Sequence, residues 1–214
     1  MTVSGIHLGP PLMYEGTYNF DKKTILPLCE QLAKDTPGFD TLFQDSLEIG
    51  AAGSTAAGGH GPESDTLVYR QPHRWPELQG FTSWVLANAK VILKSWEFQF
   101  DNVMVINSWT NRHRKGGFTN WHRHYHTDLN VAAYLQAPPN CGNLLVTDPL
   151  EMHWEGYPAY RKHNHLGGYS LEVEDNKVYF FPSFLRHSTE ASKSDEDRWV
   201  ITYNLKTTRK DPLK

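Results

Sequence analysis

The apolar positions follow a helical spacing before residue 98 and a strand-like spacing after it. A short helix is predicted over residues 24–34, where Ile25, Leu28 and Leu32 share one face. A second and longer helix is predicted over residues 75–96, because apolar residues recur there at intervals of three and four: Phe81, Trp84, Val85, Ala89, Ile92 and Leu93.

After residue 98, short runs of β-branched and aromatic residues are separated by turn signals such as Pro138-Pro139-Asn140 and Asp148-Pro149. Short antiparallel strands at this spacing are typical of a sandwich or barrel rather than of a parallel βαβ array. The sequence therefore indicates a mainly β protein with flanking helices. The predicted strands cover residues 102–109, 129–135, 143–147, 169–173, 177–181 and 199–206.

The length of 214 residues is most simply one domain, with a helical N-terminal part over residues 1–98 and a β core over residues 99–206. Residues 50–64 are rich in glycine and alanine and almost free of bulky apolar groups. We interpret this segment as a surface loop or linker. The alternative is a flap that closes over a binding site, since such lids are weakly packed.

Composition narrows the class of protein. The net charge of −3, a pI near 6.4 and the lack of a long basic run disfavour nucleic acid and anionic membranes as partners. No apolar run approaches the ~18 to 20 residues that cross a bilayer, and residues 1–11 lack the pattern of a secretory signal. Cys29 and Cys141 are far apart, which favours a reduced pair in a cytoplasmic protein.

Three of the 11 histidines, His122, His124 and His126, alternate within five positions, and Asp128 continues the series. Alternate residues of an extended segment point to one side, so neighbouring members of this run could bind one cation. His187, at the end of an apolar stretch, is well placed to supply another ligand. Neutral imidazole binds Fe, Zn, Cu and Ni. Two histidines with a carboxylate suggest a non-haem Fe(II) oxygenase, whereas three histidines also suit a catalytic zinc site.

Arg198 opens the last predicted strand, eleven residues after His187. A guanidinium is always charged and binds a carboxylate through two parallel hydrogen bonds. An arginine that enters a buried strand near a metal ligand is therefore a natural clamp for an anionic co-substrate. The alternative is a surface ion pair with Glu196 or Asp197.

The order of several short blocks resembles the small bacterial and phage oxygenases of the 2-oxoglutarate/Fe(II)-dependent oxygenase superfamily, over roughly residues 103–205. Any single block would be unspecific, but the ordered set is specific. The blocks are Ser108-Trp109-Thr110-Asn111, Lys115-Gly116, His122-Arg123-His124 and Phe181-Pro182-Ser183-Phe184-Leu185-Arg186-His187, followed by Arg198 and Asn204.

The resemblance implies a double-stranded β-helix (jelly-roll) core with iron at the mouth of the barrel. It implies that His122 and His187 are Fe(II) ligands and that Arg198 binds the distal carboxylate of 2-oxoglutarate. Asn111 and Tyr134 are further candidates for contacts to this co-substrate.

The third ligand is an open choice at this point. His124 stands where most of the superfamily has a carboxylate, and it is the first choice because the block aligns there without a gap. Asp128 competes because His126-Thr127-Asp128 spells the usual superfamily motif. A second departure is Val200, where many relatives have a hydroxyl two residues after the arginine. Thr202 could supply that hydroxyl instead.

The expected activity is that of a dioxygenase, which couples the decarboxylation of 2-oxoglutarate to the hydroxylation of a prime substrate. Its partners would be O₂ and either a small molecule or a protein side chain, and a homodimer is compatible with the sequence. One alternative is a cupin-like metal protein that does not use 2-oxoglutarate, in which Arg198 is structural. Another is a jelly-roll binding protein without catalysis.

Overall fold

The computed structural model describes residues 11–35, 64–66, 71–149 and 168–209. Two α-helices, α1 (Lys22–Asp35) and α2 (Gln79–Ser95), accompany two short 3₁₀ turns, Pro72–Arg74 and Pro76–Leu78. The strands are β1 (Tyr14–Thr17), β2 (Ser64–Thr66), β3 (Asn102–His113), β4 (Leu129–Gln136), β5 (Leu144–Thr147), β6 (Gly168–Leu171), β7 (Lys177–Pro182), β8 (His187–Thr189) and β9 (Arg198–Thr208).

The strands form two antiparallel sheets. The larger sheet has the order β1-β7-β4-β9-β3-β2, and the smaller has the order β6-β5-β8. Strands β4 and β9 pair along most of their length, and β3 pairs with the other side of β9. The expectation of a mainly β protein with a jelly-roll core and flanking helices is confirmed.

The two faces of the larger sheet carry different side chains because successive residues of a strand point in opposite directions. On β9, one face carries Trp199, Ile201, Tyr203 and Leu205, which belong to the same apolar core as the buried residues of the helices. The opposite face carries Val200, which packs with residues of the smaller sheet. This second face lines the interior of the barrel, where the candidate site lies.

Helix α2 covers the outer face of the larger sheet. Its residues at helical spacing are buried, as the sequence predicts: Phe81, Val85, Ala89, Ile92 and Leu93. Phe81 is fully buried and contacts Tyr203 of β9 at 5.3 Å between ring centroids. Truncating such a side chain to alanine costs about 3–5 kcal/mol. The helix begins at Gln79 rather than near Trp75, because two prolines shape the preceding turns.

The N-terminal part of the chain, which was expected to be helical, also contributes strands. β1 pairs with β7 and β2 pairs with β3, so both extend the larger sheet. These strands have only four and three residues, too short for an alternating pattern to stand out. The possible flap over residues 50–64 lies outside the described residues, apart from Ser64, which begins β2.

The remaining observations concern the two cysteines and the apolar character of the helices. Cys29 and Cys141 are both buried and free, and burial raises the pKa of the Cys29 thiol to about 12. In the part of the chain that the structure describes, no helix is long and apolar enough to cross a membrane.

Candidate metal and co-substrate site

Backbone hydrogen bonds hold His122 and His187 directly opposite each other. They form an antiparallel bridge in which each amide donates to the carbonyl of the other at 2.9 Å. The Nδ1 atom of His122 lies 2.7 Å from the carbonyl oxygen of Asn120, and that of His187 lies 2.9 Å from the carbonyl of Leu185. A carbonyl only accepts hydrogen bonds, so both Nδ1 atoms carry the hydrogen. The lone pair of each ring is therefore on Nε2, available to a metal.

His124, two residues after His122, completes the cluster. Its amide donates to the carbonyl of Ser183 at 3.0 Å, and its Nδ1 donates to Oδ1 of Asn204 at 2.7 Å. The indole of Trp109 stacks on the ring with centroids 5.6 Å apart and an interplanar angle of 18°. Its Nε2 is buried and has no hydrogen-bond partner. A buried acceptor without a partner is the arrangement expected of a ligand atom that awaits a cation.

The three rings converge. One nitrogen from each of His122, His124 and His187 lies within 4.8 Å of the other two. Among the described residues, the structure brings together one group of three metal-binding side chains, and it consists of these histidines. Three imidazoles on one side leave coordination positions for exogenous ligands, as a catalytic site requires.

Burial keeps the cluster neutral. It lowers the pKa of His122 to about 4, although the hydrogen bond to Asn120 opposes the shift. Burial and the nearby His122 lower the pKa of His124 to about 3. The pKa of His187 is well below its usual value, because of burial and then of the other two rings. Neutral imidazole is the form that binds metals, so the site is ready for a cation at pH 7.

The structure places Asp128 apart from the cluster. Its Oδ2 accepts hydrogen bonds from the amide and the hydroxyl of Thr207, both at 2.7 Å. The expected alternation along the histidine run fails because His126 has a left-handed backbone with φ of 62°. His126 is exposed, and the run is a bent segment rather than a regular strand. The interpretation of His126 and Asp128 as a pair on the same face as His124 is therefore wrong.

Arg198 is fully buried at the start of β9. Its Nη1 donates to the carbonyls of Cys141 and Gly142 at 2.7 and 2.8 Å, and its Nη2 donates to the hydroxyl of Thr189 at 3.0 Å. Its Nε is buried and has no hydrogen-bond partner. The alternative of a surface ion pair does not describe this arginine, because its hydrogen bonds go to neutral oxygens inside the protein.

The other co-substrate candidates lie on the same inner face. Asn111 of β3 and Tyr134 of β4 flank Val200 of β9 in register, two positions along the strand from Arg198. Tyr134 is buried, and burial raises its pKa above the usual range, while the charge of Arg198 opposes the shift. Its hydroxyl is therefore a neutral donor at pH 7.

Cross-strand rows order the inner face from the arginine to the metal cluster. The row of Val200 is followed by the row of Thr202 and then by the row of Asn204, which supports His124. Arg198 and Asn204 are six residues apart on one strand, roughly 20 Å between Cα atoms. Both side chains enter the same barrel, so Arg198 and the histidine cluster face a common interior.

An apolar groove of about 470 Å³ adjoins this interior. Its inner wall includes Val146, the register partner of His187, and Leu185, two residues before the same histidine. The groove is lined by Leu12, Met13, Tyr14, Glu15, Val146, Thr147, Asp148, Pro149, Tyr169, Leu171, Tyr179 and Leu185.

One known protein family matches the part of the chain that contains the candidate site. Residues 107–204 match the family described as "Putative 2OG-Fe(II) oxygenase". This span includes all three clustered histidines and Arg198. Over residues 107–204 the protein is therefore similar to the 2-oxoglutarate/Fe(II)-dependent oxygenases. No curated protein sequence matches the chain.

Solved structures agree with this fold. The non-heme α-ketoglutarate-dependent epimerase SnoN from nogalamycin biosynthesis is 11% identical, with 93% of this chain and 79% of SnoN covered and a TM-score of 0.60. HygX from Streptomyces hygroscopicus, with nickel and 2-oxoglutarate bound, is 11% identical, with 92% and 83% covered and a TM-score of 0.56. A Pseudomonas putida prolyl-4-hydroxylase is 10% identical, with 94% of each chain covered and a TM-score of 0.53.

Sequence reasoning gave no role to several residues that shape the site. Asn204 appeared only as part of the family pattern, yet it orients His124. Trp109 likewise appeared only as part of the family pattern, yet it stacks on His124. Both residues lie on inward-facing strand positions, which was the one available signal. Thr189 beside Arg198 had no signal in the sequence.

Proposed function

We propose that this protein is a 2-oxoglutarate/Fe(II)-dependent oxygenase, a hydroxylase in which His122, His124 and His187 hold Fe(II) and Arg198 receives the distal carboxylate of 2-oxoglutarate. The observation that carries the proposal is the convergence of three neutral imidazoles whose Nδ1 atoms all donate to fixed acceptors. Such partners fix the tautomer and orientation of metal-binding histidines.

The cluster would bind the cation without a large rearrangement. Its rings are neutral, and backbone bonds hold the segments of His122 and His124 against β8 and the turn before it. Fe(II) held by these three histidines, with 2-oxoglutarate and O₂, would supply the oxidation that releases succinate and CO₂ and hydroxylates a C–H bond of the prime substrate. The protein contributes the geometry, the dry surroundings and the orientation of the co-substrate.

Arg198 fits an anionic ligand on energetic grounds. An isolated charge inside a protein is costly unless an opposite charge or several hydrogen bonds compensate it. Among the described residues, none forms an ion pair with Arg198, and its three hydrogen bonds go to neutral oxygens. A carboxylate from the co-substrate would supply the missing negative charge. Asn111 and Tyr134, two positions along the same face, are the proposed further contacts.

An anaerobic titration tests the proposal. Fe(II) is added first and 2-oxoglutarate second, and the weak visible charge-transfer band of the chelated iron is recorded. We expect the band in the wild-type protein, its loss in His124→Ala together with the iron, and its persistence in Asp128→Ala. Iron that binds without a band would indicate the cupin-like alternative. A protein that binds no iron would be a jelly roll without catalysis.

The prime substrate is proposed to be either a small molecule or a protein side chain. The apolar groove has a volume of about 470 Å³, which is within the range of small-molecule sites, roughly 300–1,000 Å³. Succinate formation measured by mass spectrometry against a library of both kinds of compound would separate them. Succinate that rises with neither kind would contradict this part of the proposal.

A further inference from the structure

Thr189 ends β8, two residues after His187 and beside the guanidinium of Arg198. Its backbone amide donates to the carbonyl of Thr119 at 3.0 Å. Its hydroxyl oxygen accepts two hydrogen bonds, from the amide of Thr119 at 2.9 Å and from Nη2 of Arg198 at 3.0 Å. The hydroxyl group is therefore fixed in position from two sides.

The two bonds determine what this hydroxyl can still do. A backbone amide and a guanidinium nitrogen only donate, so together they occupy both acceptor positions of the Thr189 oxygen. The hydroxyl hydrogen must then be donated elsewhere. The described residues hold no acceptor for it, since the two bonds received are all that the structure records for this hydroxyl.

Arg198 also has unused hydrogen-bond donors next to the Thr189 hydroxyl. A guanidinium has five N–H groups. Three are used, by the carbonyls of Cys141 and Gly142 and by Thr189, so two remain, and one of them is the buried Nε–H. Unused donors from two adjacent side chains therefore meet without an acceptor. A carboxylate, which only accepts and has two oxygens, is the group that matches them.

We infer that Thr189 is a co-substrate-binding residue, whose hydroxyl donates to the distal carboxylate of 2-oxoglutarate beside the Nε–H of Arg198. This inference rests on the proposed function, and it assigns the hydroxyl contact to a strand that neither the motif blocks nor the family pattern indicated. The Nη1 end of Arg198 holds the turn before β5 and is not available to the ligand.

The structure favours Thr189 over Thr202 for this role. Thr202 shares the inner face with Arg198, but it lies four residues along β9, roughly 13 Å between Cα atoms. It is in register with Trp109 and Ala132, one row closer to the metal cluster. Thr189, in contrast, contacts the guanidinium directly. Many relatives have a hydroxyl at the position of Val200 on β9. In this protein, Thr189 on β8 supplies that hydroxyl instead.

Ligand binding to the Ni(II)-loaded protein tests the inference without turnover. Calorimetry compares 2-oxoglutarate with 2-oxopentanoate, which has the same 2-oxo acid group but a methyl group in place of the distal carboxylate. We expect Thr189→Val to weaken 2-oxoglutarate about 10- to 100-fold, the range for a hydrogen bond to a charged group. Thr189→Ser should restore the affinity, and Thr202→Val should leave it unchanged. The affinity for 2-oxopentanoate should be the same in all of these proteins.

The outcomes separate this inference from the proposed function. If Thr189→Val binds 2-oxoglutarate as tightly as the wild type, or if Thr202→Val shows the loss instead, the role of Thr189 is refuted. An equal loss for 2-oxopentanoate would also refute it, because the effect would not concern the distal carboxylate. If the wild-type protein binds neither acid, or if Arg198→Met binds 2-oxoglutarate normally, the proposed function itself fails.

Discussion

Replacing Asn204 by leucine should weaken metal binding although Asn204 is not a proposed ligand. Its Oδ1 accepts the Nδ1–H of His124 at 2.7 Å, inside the barrel, where no water replaces it at low cost. Removing the acceptor leaves a buried donor unsatisfied, which costs about 1–3 kcal/mol. Loss of such a supporting partner typically reduces metal affinity about 10- to 100-fold, equivalent to about 1.4–2.7 kcal/mol. The cost of the unsatisfied donor and the expected loss of metal-binding free energy are therefore similar in size.

Competition with a chromophoric chelator for Ni(II) measures this effect. Asn130→Leu is the matched control, because Asn130 is the buried register partner of Asn204 on β4 and its Oδ1 accepts from Thr127 instead. We expect Asn130→Leu to bind Ni(II) normally. Asn204→Asp, which keeps an acceptor, should bind at least as tightly as the wild type. Normal Ni(II) affinity in folded Asn204→Leu, or an equal loss in Asn130→Leu, would refute the reasoning.

Three other predictions concern different parts of the site. Asp128→Ala removes the acceptor of two bonds from Thr207 and should lower the free energy of unfolding by about 1–3 kcal/mol without changing Ni(II) affinity; a loss of affinity would return Asp128 to the ligand set. Gly142→Ala forces a Cβ at φ +85° to within 2.5 Å of the carbonyl oxygen of Glu190. It should destabilise the protein by at least about 1–3 kcal/mol and, because the Gly142 carbonyl holds Arg198, weaken 2-oxoglutarate binding in calorimetry; unchanged denaturation and binding curves would contradict this. The clustered histidines have pKa values lowered to about 4 and about 3 and well below the ordinary value of 6.5. As the pH falls, these histidines are protonated in the unfolded chain before they are protonated in the folded protein. The free energy of unfolding of the metal-free protein, measured in urea, should therefore decrease as the pH falls from about 6.5 towards about 4. The decrease should be smaller when one of the three histidines is replaced by glutamine. Stability that stays constant over this interval would be inconsistent with buried neutral rings.

The sequence predicts the β core well because its strands alternate against two apolar layers. The inner and outer faces of β9 follow directly from the pattern after Arg198, and the apolar spacing within residues 75–96 predicts helix α2. The edge strands β1 and β2 could not be predicted, since pairing with β7 and β3, rather than local pattern, makes them strands.

The candidate site was predictable in part. The resemblance predicted the three histidines as metal ligands and Arg198 as a co-substrate-binding residue. The structure brings the three histidines together. The block alignment favoured His124 over Asp128, but the position of Asp128 outside the cluster depends on one backbone angle, which the sequence does not show. The left-handed conformation of His126 turns the chain, and Thr207 then engages the Asp128 carboxylate. Histidine adopts this conformation more often than most residues other than glycine, but still too rarely for the sequence to predict the turn.

Residues that act through hydrogen bonds were the least predictable. The partners of Asn204 and Thr189 are 80 and 9 residues away in the chain. Serine, threonine and asparagine are common at inward strand positions, so their type carries no information about a role. Only the count of donors and acceptors in the folded protein distinguishes them.

Proton NMR of the Co(II)-substituted protein tests the central claim most directly. The claim is that three histidines bind the metal through Nε2 while each Nδ1–H donates to a buried acceptor. High-spin Co(II) shifts the signals of its ligands far outside the normal range, and protected N–H protons remain visible in H₂O and vanish in D₂O. The account predicts three such exchangeable signals, one for each of His122, His124 and His187. Two signals, as for a site with two histidines and a carboxylate, would contradict it.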